Sequence, residues 1–450
     1  MSLYDDLRVK YPEFSYNGFE IIEQNDNYVI TYSFEISGLE EFNPTWTIKK
    51  GKKDIVDDSA FHNIVFNLGM VELISYWKIT CSPIVKVKCG YLDDEMIKWW
   101  KKLYYNGLGE CFYLNGIVDD VEHFMSIQCE SDVKFEFPSD TPSDGCLVPI
   151  GGGKDSIVSL GVLENSRENN FCYIINPRGA TLNTVKTAKY EDKTIVANRT
   201  LDKRMLELNK QSYINGHTPF SAIVAFSSIM VAYVNDIKYV ALSNESSANE
   251  STVADSYVNH QYSKSFEFEM DFHNYEATYI KSGVYYFSLL RPLSEYQIAG
   301  LFSRYSDFHK VFRSCNVGSK QDIWCGNCPK CLFVFIILSP FISPDCLTDI
   351  FGSNLFEKEE LMEDFKKLVG LAPEKPFECV GSRDEINFAL VEAVKKYDNL
   401  PLLLDFYVNT ELYNSYSSNE NPYDNYYNTE NLLPPQFDKM LKEELNWEEE

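Results

Sequence analysis

From Gly145 onward the chain repeats a short apolar run followed by an amphipathic one. CLVPI precedes DSIVSLGVLENS, FCYIINP follows, TIVANR precedes LDKRMLELN, TPFSAIVAFSSIMVAYV precedes YVALSNE, and VYYFSLLRP precedes LSEYQIAGLFSRY. Unbroken apolar runs of this length suit strands covered on both faces, and strands separated by helices pair in parallel. The pattern predicts an α/β fold: a parallel sheet covered by helices over residues 141–345. Before about Ser139 the text differs. NYVITYSFEI (Asn27 to Ile36) and TWTIKK alternate at period two, while VFNLGMVELISYWK and DEMIKWWKKLYYNGL are helical, so residues 1–140 read as an α+β N-terminal domain. Residues 346–450 read as helical, ending in a Tyr-, Asn- and Glu-rich tail from Glu411 that is expected to be solvated and partly mobile.

A chain of 450 residues with 44% hydrophobic and 15% aromatic content can bury two or three cores. Its 41 Lys and Arg stand against 67 Asp and Glu, and a net charge of -26 repels a polyanionic backbone, so nucleic acid is not an expected partner. The longest apolar run, Cys331 to Phe341, covers about half of a bilayer. With no charged start followed by an apolar segment, the expectation is a cytoplasmic protein without membrane insertion. Twelve cysteines in such a chain read as reduced thiols or metal ligands.

The most constrained stretch is CLVPIGGGKDSIVSLGVL, Cys146 to Leu163. A buried strand enters the glycines, and a helix with Ile157, Leu160 and Leu163 on one face leaves them. Strand, glycine loop and helix N-terminus point backbone N–H groups and the helix dipole at one spot, which suits a phosphate. Glycine matters there because a Cβ would hold the backbone off the anion. The Walker pattern fails, since Asp155 follows Lys154 and no glycine stands five residues before Gly153. The dinucleotide pattern fails too, with Ser156 where its third glycine belongs and FCYIINP where an acid should follow. What remains resembles the PP-loop of ATP pyrophosphatases, Ser-Gly-Gly-x-Asp-Ser. Gly151, Gly152, Gly153, Lys154, Asp155 and Ser156 match it at every fixed position except the first, where Gly151 replaces serine. An ordinary glycine-rich turn is the competing reading.

A second constellation lies in SCNVGSKQDIWCGNCPKC. Cys315, Cys325, Cys328 and Cys331 are separated by nine, two and two residues, a spacing that lets four thiolates converge on one soft ion. Zinc is the first choice and an iron–sulfur cluster the second; buried reduced cysteines are the alternative to both. The set is similar to the zinc knuckle of the PP-loop enzyme that makes the nitrile precursor of queuosine, where a structural role is implied.

Shorter segments add candidates. NGHTPFSA places His217 and Pro219 ahead of an apolar helix, where a ligand-facing loop and a plain helix-capping segment fit equally. SNESSANES follows the strand YVAL, so Ser243, Asn244 and Glu245 belong at the edge where open α/β sheets bind ligands. VNHQYSKSFEFE offers His260 and Lys264. RPLSE offers Arg291 and Glu295, either for a ligand anion or as a structural ion pair.

In this order GGGKDS, NGHTPFSA, SNESSA, VNHQYSKS, YYFSLLRPLSE, SCN with WCGNCPKCLFVF, IFGSNL and KPFECVG resemble one family, the ATP-dependent UDP-N-acetylmuramoyl-L-alanyl-L-glutamate epimerases of peptidoglycan synthesis. The resemblance runs from about Asp54 to Gly381. Asn249 and Glu250 depart from it. It implies a PP-loop (adenine nucleotide alpha hydrolase-like) fold, ATP and Mg2+ as cofactors, and UDP-MurNAc-L-Ala-L-Glu as substrate, with an acyl-adenylate on the path and AMP and pyrophosphate released. Under it the loop amides, Gly151 to Ser156, hold the β- and γ-phosphates, Lys154 stabilises their charge and Asp155 helps hold Mg2+. Ser243, Asn244 and Glu245 join the nucleotide site. His217, His260, Lys264 and Cys379 are the candidates for the acid and base, and a substrate-covering role falls to the N-terminal domain. Two other readings stay open: a PP-loop enzyme that amidates or transfers sulfur to a small acid, and a non-catalytic nucleotide-binding protein. Oligomeric state is not readable.

Overall fold

The structure, a computed structural model, describes residues 2–138, 140–249 and 258–447. Its strands are β1 (Glu13–Gln24), β2 (Asn27–Ile36), β3 (Glu40–Phe42), β4 (Thr45–Lys49), β5 (Ile84–Val87), β6 (Ser126–Cys129), β7 (Asp144–Pro149), β8 (Asn170–Ile175), β9 (Thr194–Thr200), β10 (Ile237–Leu242) and β11 (Tyr285–Ser288). The fold is mixed α/β, with a large sheet and a helical C-terminal region. Two compact units divide the chain, and each is assembled from three segments. Unit one holds Met1–Leu147, Ile195–Val240 and Tyr257–Tyr286; unit two holds Val148–Thr194, Ala241–Ser256 and Phe287–Glu450.

In unit one β1 and β2 form a long hairpin, paired from Gln24 with Asn27 to Phe14 with Ile36 and turned through Asn25 at φ 55. Asn tolerates that left-handed conformation better than most residues. Alternation in β2 buries Tyr28, Ile30, Tyr32, Phe34 and Ile36 on one face. The helix Ser59–Trp77, apolar all round and almost wholly buried, packs there. Gly69 marks the close approach, since a Cβ on it would stand 2.0 Å from the Tyr16 hydroxyl. Its one acid, the fully buried Glu72, is satisfied by Trp46 Nε1 at 2.7 Å and by Arg199 at 2.6 and 2.8 Å. A buried carboxylate needs partners of that kind.

The sheet pairings of unit one are mixed. β5 pairs in parallel with β1 and with β6, and β7 pairs in parallel with β10. β9, from the TIVANR run, pairs antiparallel with β4. The sequence reading placed TIVANR in a parallel sheet, and the antiparallel neighbour was not foreseen; an apolar run fixes a strand's burial but not its neighbour's direction.

Unit two is mainly helical. Lys154–Val162, Glu295–Ser303, Pro329–Leu338 and Arg383–Val394 bury their apolar faces against one another. The tail is solvated over Glu411–Ser417, which buries no residue, and docks at its last helix. It forms helices Glu411–Ser417 and Pro435–Leu445, the second with the Phe437 ring tilted at 42° and 4.8 Å from that of Phe287 and with Leu441 fully buried. Tyr426 Oη lies 2.6 Å from Ser246 Oγ, and its carbonyl accepts from Gln297 Nε2 at 2.8 Å. Tyrosines bury an apolar ring while keeping a polar tip satisfied, so a tract can be polar by composition and still dock. No helix among the described residues is long and apolar enough to cross a membrane.

Candidate functional site

Unit two carries the glycine loop. β7 leads into it, and the helix Lys154–Val162 leaves it with Gly153 as an extended N-cap that offers no side-chain acceptor. The first amides of that helix are therefore not satisfied by a capping side chain. The three glycines differ. Gly152 sits at φ +82 with its hypothetical Cβ 2.8 Å from Ala180 Cβ, and its carbonyl accepts from Arg313 N at 2.8 Å. At Gly151 a Cβ would meet nothing within 4 Å, and at Gly153 the nearest atom would be Ser314 Cβ at 3.4 Å. The loop thus keeps open space over its first residue, where a phosphate can approach the backbone.

Lys154 is almost fully buried and donates to both Asp155 and Glu295. Burial works against its charge, but the two carboxylates outweigh it and hold the ammonium protonated well above its ordinary range. Glu295, at the start of the helix Glu295–Ser303, is pushed by burial up to about 8, with Lys154 pulling the other way. Its backbone N–H donates to Glu385 Oε1 at 2.6 Å, and the second Glu385 oxygen accepts from Ser382 N and Oγ at 2.8 and 2.7 Å. Glu245, also buried, adds negative charge near Glu295.

The remaining sequence candidates of this unit gather nearby. Ser243 Oγ lies 2.8 Å from Ser159 Oγ on the loop's own helix, and Asn244 Nδ2 donates to Ser288 Oγ at 3.1 Å. Arg291, fully buried, donates to the Glu245 carbonyl, so that carbonyl takes the guanidinium and Lys154 takes Glu295. Glu250 and Ser251 lie outside the described residues. A cavity of about 610 Å³, lined by Ser246, Ser247, Ser382, Arg383, Tyr416 and Tyr423 among others, shares Ser382 with the carboxylate network. A tight glycine at φ +82, a buried lysine and clustered carboxylates suit a nucleotide phosphate and a hard cation, which takes oxygen ligands.

The four cysteines of unit two do converge. Cys315 and Cys328 sulfurs are 3.8 Å apart, Cys325 and Cys331 3.6 Å, Cys328 and Cys331 3.5 Å, and all four lie within 4.8 Å of one another. Sulfurs about 2.3 Å from one tetrahedral ion stand about 3.8 Å apart. The donor set therefore fits a single zinc-sized ion. Cys328 caps the helix Pro329–Leu338, accepting from Cys331 N at 3.4 Å, and Cys315 accepts from Gly318 N at 3.2 Å. Gly326 makes the Cys-x-x-Cys turn at φ +67. Cys379 is not one of the four clustered thiols; its carbonyl accepts from Lys330, which stands between Cys328 and Cys331.

Unit one carries a separate polar cluster. His217 and His260 have ring centroids 4.4 Å apart at 43°, and His260 Nδ1 is hydrogen-bonded to Glu110. Local structure brings them together. The NGH loop is held by Asn115 Nδ2 donating to Asn215 O at 3.0 Å and by Lys78 Nζ donating to Gly216 O. Gly216 packs so closely that a Cβ would stand 2.8 Å from Cys111 Sγ, on the helix Gly109–Leu114 that carries Glu110. His260 arrives from an Asx turn, with Gln261 N on Asn259 Oδ1 at 2.8 Å, followed by the 3-10 turn Tyr262–Lys264. Burial first, then the neighbouring His260, lowers His217 to about 4; Lys78 and Lys264 add to that and Glu110 opposes it.

Sequence reasoning named His217, His260 and Lys264 but missed Glu110, and in unit two it missed Glu385. Glu385 stands in the capping box Ser382–Glu385, a pattern that marks a helix start and not a site; Glu110 stands in no such pattern and meets His260 across 150 residues of chain.

Fold and sites together define an α/β protein with a glycine loop at a helix N-terminus, a buried lysine held by carboxylates and a cluster of four thiols. Family comparison narrows this. The MurL N-terminal domain matches residues 6–289 and the MurL C-terminal domain residues 311–410. The chain belongs to the MurL family. Relatives named UDP-N-acetyl-alpha-D-muramoyl-L-alanyl-L-glutamate epimerase, from Xanthomonas oryzae pv. oryzae and Salinispora tropica, are each 32% identical to it. Those alignments cover 72% of this chain in both cases, and 72% and 71% of the respective relatives. No solved structure matches the chain.

Proposed function

We propose that this protein epimerises the terminal L-glutamyl residue of UDP-MurNAc-L-Ala-L-Glu to D-glutamyl in the cytoplasm, as an ATP- and Mg2+-dependent isomerase of peptidoglycan precursor synthesis. The observation that carries the reading is MurL membership along both halves of the chain, with relatives bearing that epimerase name.

Chemistry explains why a phosphate loop belongs in such an enzyme. The α-proton of a carboxylate is hard to remove, because a carbanion would form beside an existing anion. Bound ATP would supply the activation: transfer of AMP to the glutamyl carboxylate, with pyrophosphate leaving, would remove the carboxylate's charge and make the α-hydrogen far more acidic. Unit two would adopt the PP-loop fold to do this. Gly151, Gly152, Gly153 and Ser156 would bind the phosphates, and Lys154 would balance their charge. Asp155, with Glu295 beside it, would hold Mg2+, and Ser243, Asn244 and Glu245 would line the nucleotide site. The four cysteines would hold a structural Zn2+.

The test is incubation with ATP, Mg2+ and the UDP-muramoyl dipeptide, followed by chiral analysis of the glutamate and nucleotide analysis. D-glutamate together with AMP supports the scheme. ADP with phosphate would remove the adenylation step, and glutamate that stays L while ATP is consumed would remove the epimerase.

A further inference from the structure

Inverting a carbon requires that a proton leave one face and another arrive on the opposite face, and two histidines in contact invite the idea that they flank the substrate. Their geometry forbids it. A carbon held between two rings needs roughly 7 Å between centroids, twice the ~3.5 Å contact distance, whereas His217 and His260 are 4.4 Å apart. They must work from one side.

They are also not equivalent. His260 Nδ1 meets the Glu110 carboxylate, and Glu110 and His260 are both mostly buried, with 13% and 10% of their side chains exposed. A carboxylate on one ring nitrogen fixes the tautomer, leaves the other nitrogen with its lone pair, and stabilises the imidazolium that forms on protonation. His217, held neutral down to about pH 4 by burial and its neighbours, suits a hydrogen-bonding wall instead of a proton carrier. The cations around the pair, Lys78 from the helix Ser59–Trp77 side and Lys264 from the 3-10 turn, add positive potential where negative charge would develop.

We propose that Glu110 and His260 form a proton-transfer dyad acting on one face of the glutamyl α-carbon, His260 Nε2 as the catalytic atom and Glu110 as the positioning residue. This rests on the epimerase reading. In the forward sense the Cα–H bond breaks, its electron pair enters the activated carbonyl to give an enolate, and the proton moves to Nε2. Imidazolium then sits beside the Glu110 carboxylate. A separate acid returns a proton to the opposite face, and His260 loses its own to water. In the reverse sense His260 is that acid.

The test compares full-length wild type with His260→Asn, Glu110→Gln and Glu110→Asp in deuterated buffer, using ATP, Mg2+ and the UDP-muramoyl dipeptide. Three quantities are read: first-turnover pyrophosphate release, deuterium at the glutamyl α-carbon, and D-glutamate. His260→Asn and Glu110→Gln should release pyrophosphate within threefold of wild type, which also shows that they fold. Inversion should fall about 100-fold or more, with Glu110→Asp recovering part of it. Deuterium lost together with inversion supports His260 as the base for the L face; deuterium retained in L-glutamate without inversion would show that another group removes the L-face proton and would overturn the forward step.

It is overturned if inversion stays within threefold of wild type, or if pyrophosphate release falls in parallel with inversion. Because the donor atoms of Glu110, His217 and His260 lie within 4.8 Å of one another, metal content is measured as well. Loss of one equivalent of divalent metal in His260→Asn would make the cluster a metal centre and overturn the dyad. A wild type that inverts nothing removes the epimerase reading and the dyad with it.

Discussion

Gly151 and Gly152 are neighbours under opposite constraints. Gly152 needs its glycine twice over, for φ +82 and for the 2.8 Å approach to Ala180, whereas Gly151 has open space and no positive φ. Gly152→Ala should therefore destabilise the protein by about 2 kcal/mol and abolish AMP formation, while Gly151→Ser should melt like the wild type; thermal denaturation compares them. A Gly151→Ser variant that loses as much stability as Gly152→Ala would show that the loop is packed from above. His217 gives a pH prediction. Its folded-state pKa is about 4, depressed from 6.5 by burial and His260, so folding favours the neutral ring. That contribution is complete above pH 6.5 and is lost as pH falls from there toward 4, on the order of 3 kcal/mol in full. Melting temperature against pH should accordingly be flatter over that window in His217→Gln than in wild type. Equal slopes would mean the ring is not held neutral.

The element scale is where sequence and structure agree most closely. Apolar periodicity is local, so the strands in NYVITYSFEI and YVALSNE and the helices in VFNLGMVELISYWK and LSEYQIAGLFSRY could be read directly. The metal-type spacing was legible for the same reason, since all four thiols fall within one loop and one helix start. Pairing direction was not legible, because the antiparallel partnership of β9 with β4 joins segments about 150 residues apart. Nor was Glu110, whose role is a contact and not a pattern. The docked tail was hidden by composition, its anchors Phe437 and Leu441 being diluted among polar neighbours. The four-thiol loop yields the prediction for this scale. Cys328 is both one of the four clustered thiols and the N-cap of the buried helix Pro329–Leu338. Purified protein should contain one zinc per chain by elemental analysis, and Cys315→Ser with Cys328→Ser should reduce it below about 0.2 and lower the melting temperature by several degrees. Iron in place of zinc, or full stability without metal, would refute the assignment.

At the scale of the whole molecule, the residues assigned to ATP and those assigned to the proton fall in different units. Lys154, Asp155, Glu295 and Glu245 belong to unit two, and Glu110, His217 and His260 to unit one. Each unit is built from three separate stretches of chain, so a residue's position in the sequence is a poor guide to which chemistry it serves. His217 and Ser243 are 26 residues apart yet belong to different units. If activation and proton transfer are housed this way, they should separate in a binding experiment that involves no turnover. A ligand that binds only the folded state stabilises it by RT ln(1 + [L]/Kd), about 2.7 kcal/mol at a hundredfold excess over Kd. ATP with Mg2+ and no dipeptide should therefore raise the melting temperature of wild type and of Glu110→Gln by the same amount. Asp155→Asn should lose most of that rise, because it removes the carboxylate proposed to hold the cation and alters the partner of the buried Lys154. The reverse pattern, with the shift lost in Glu110→Gln and kept in Asp155→Asn, would place the nucleotide in the wrong unit and undo the division of labour.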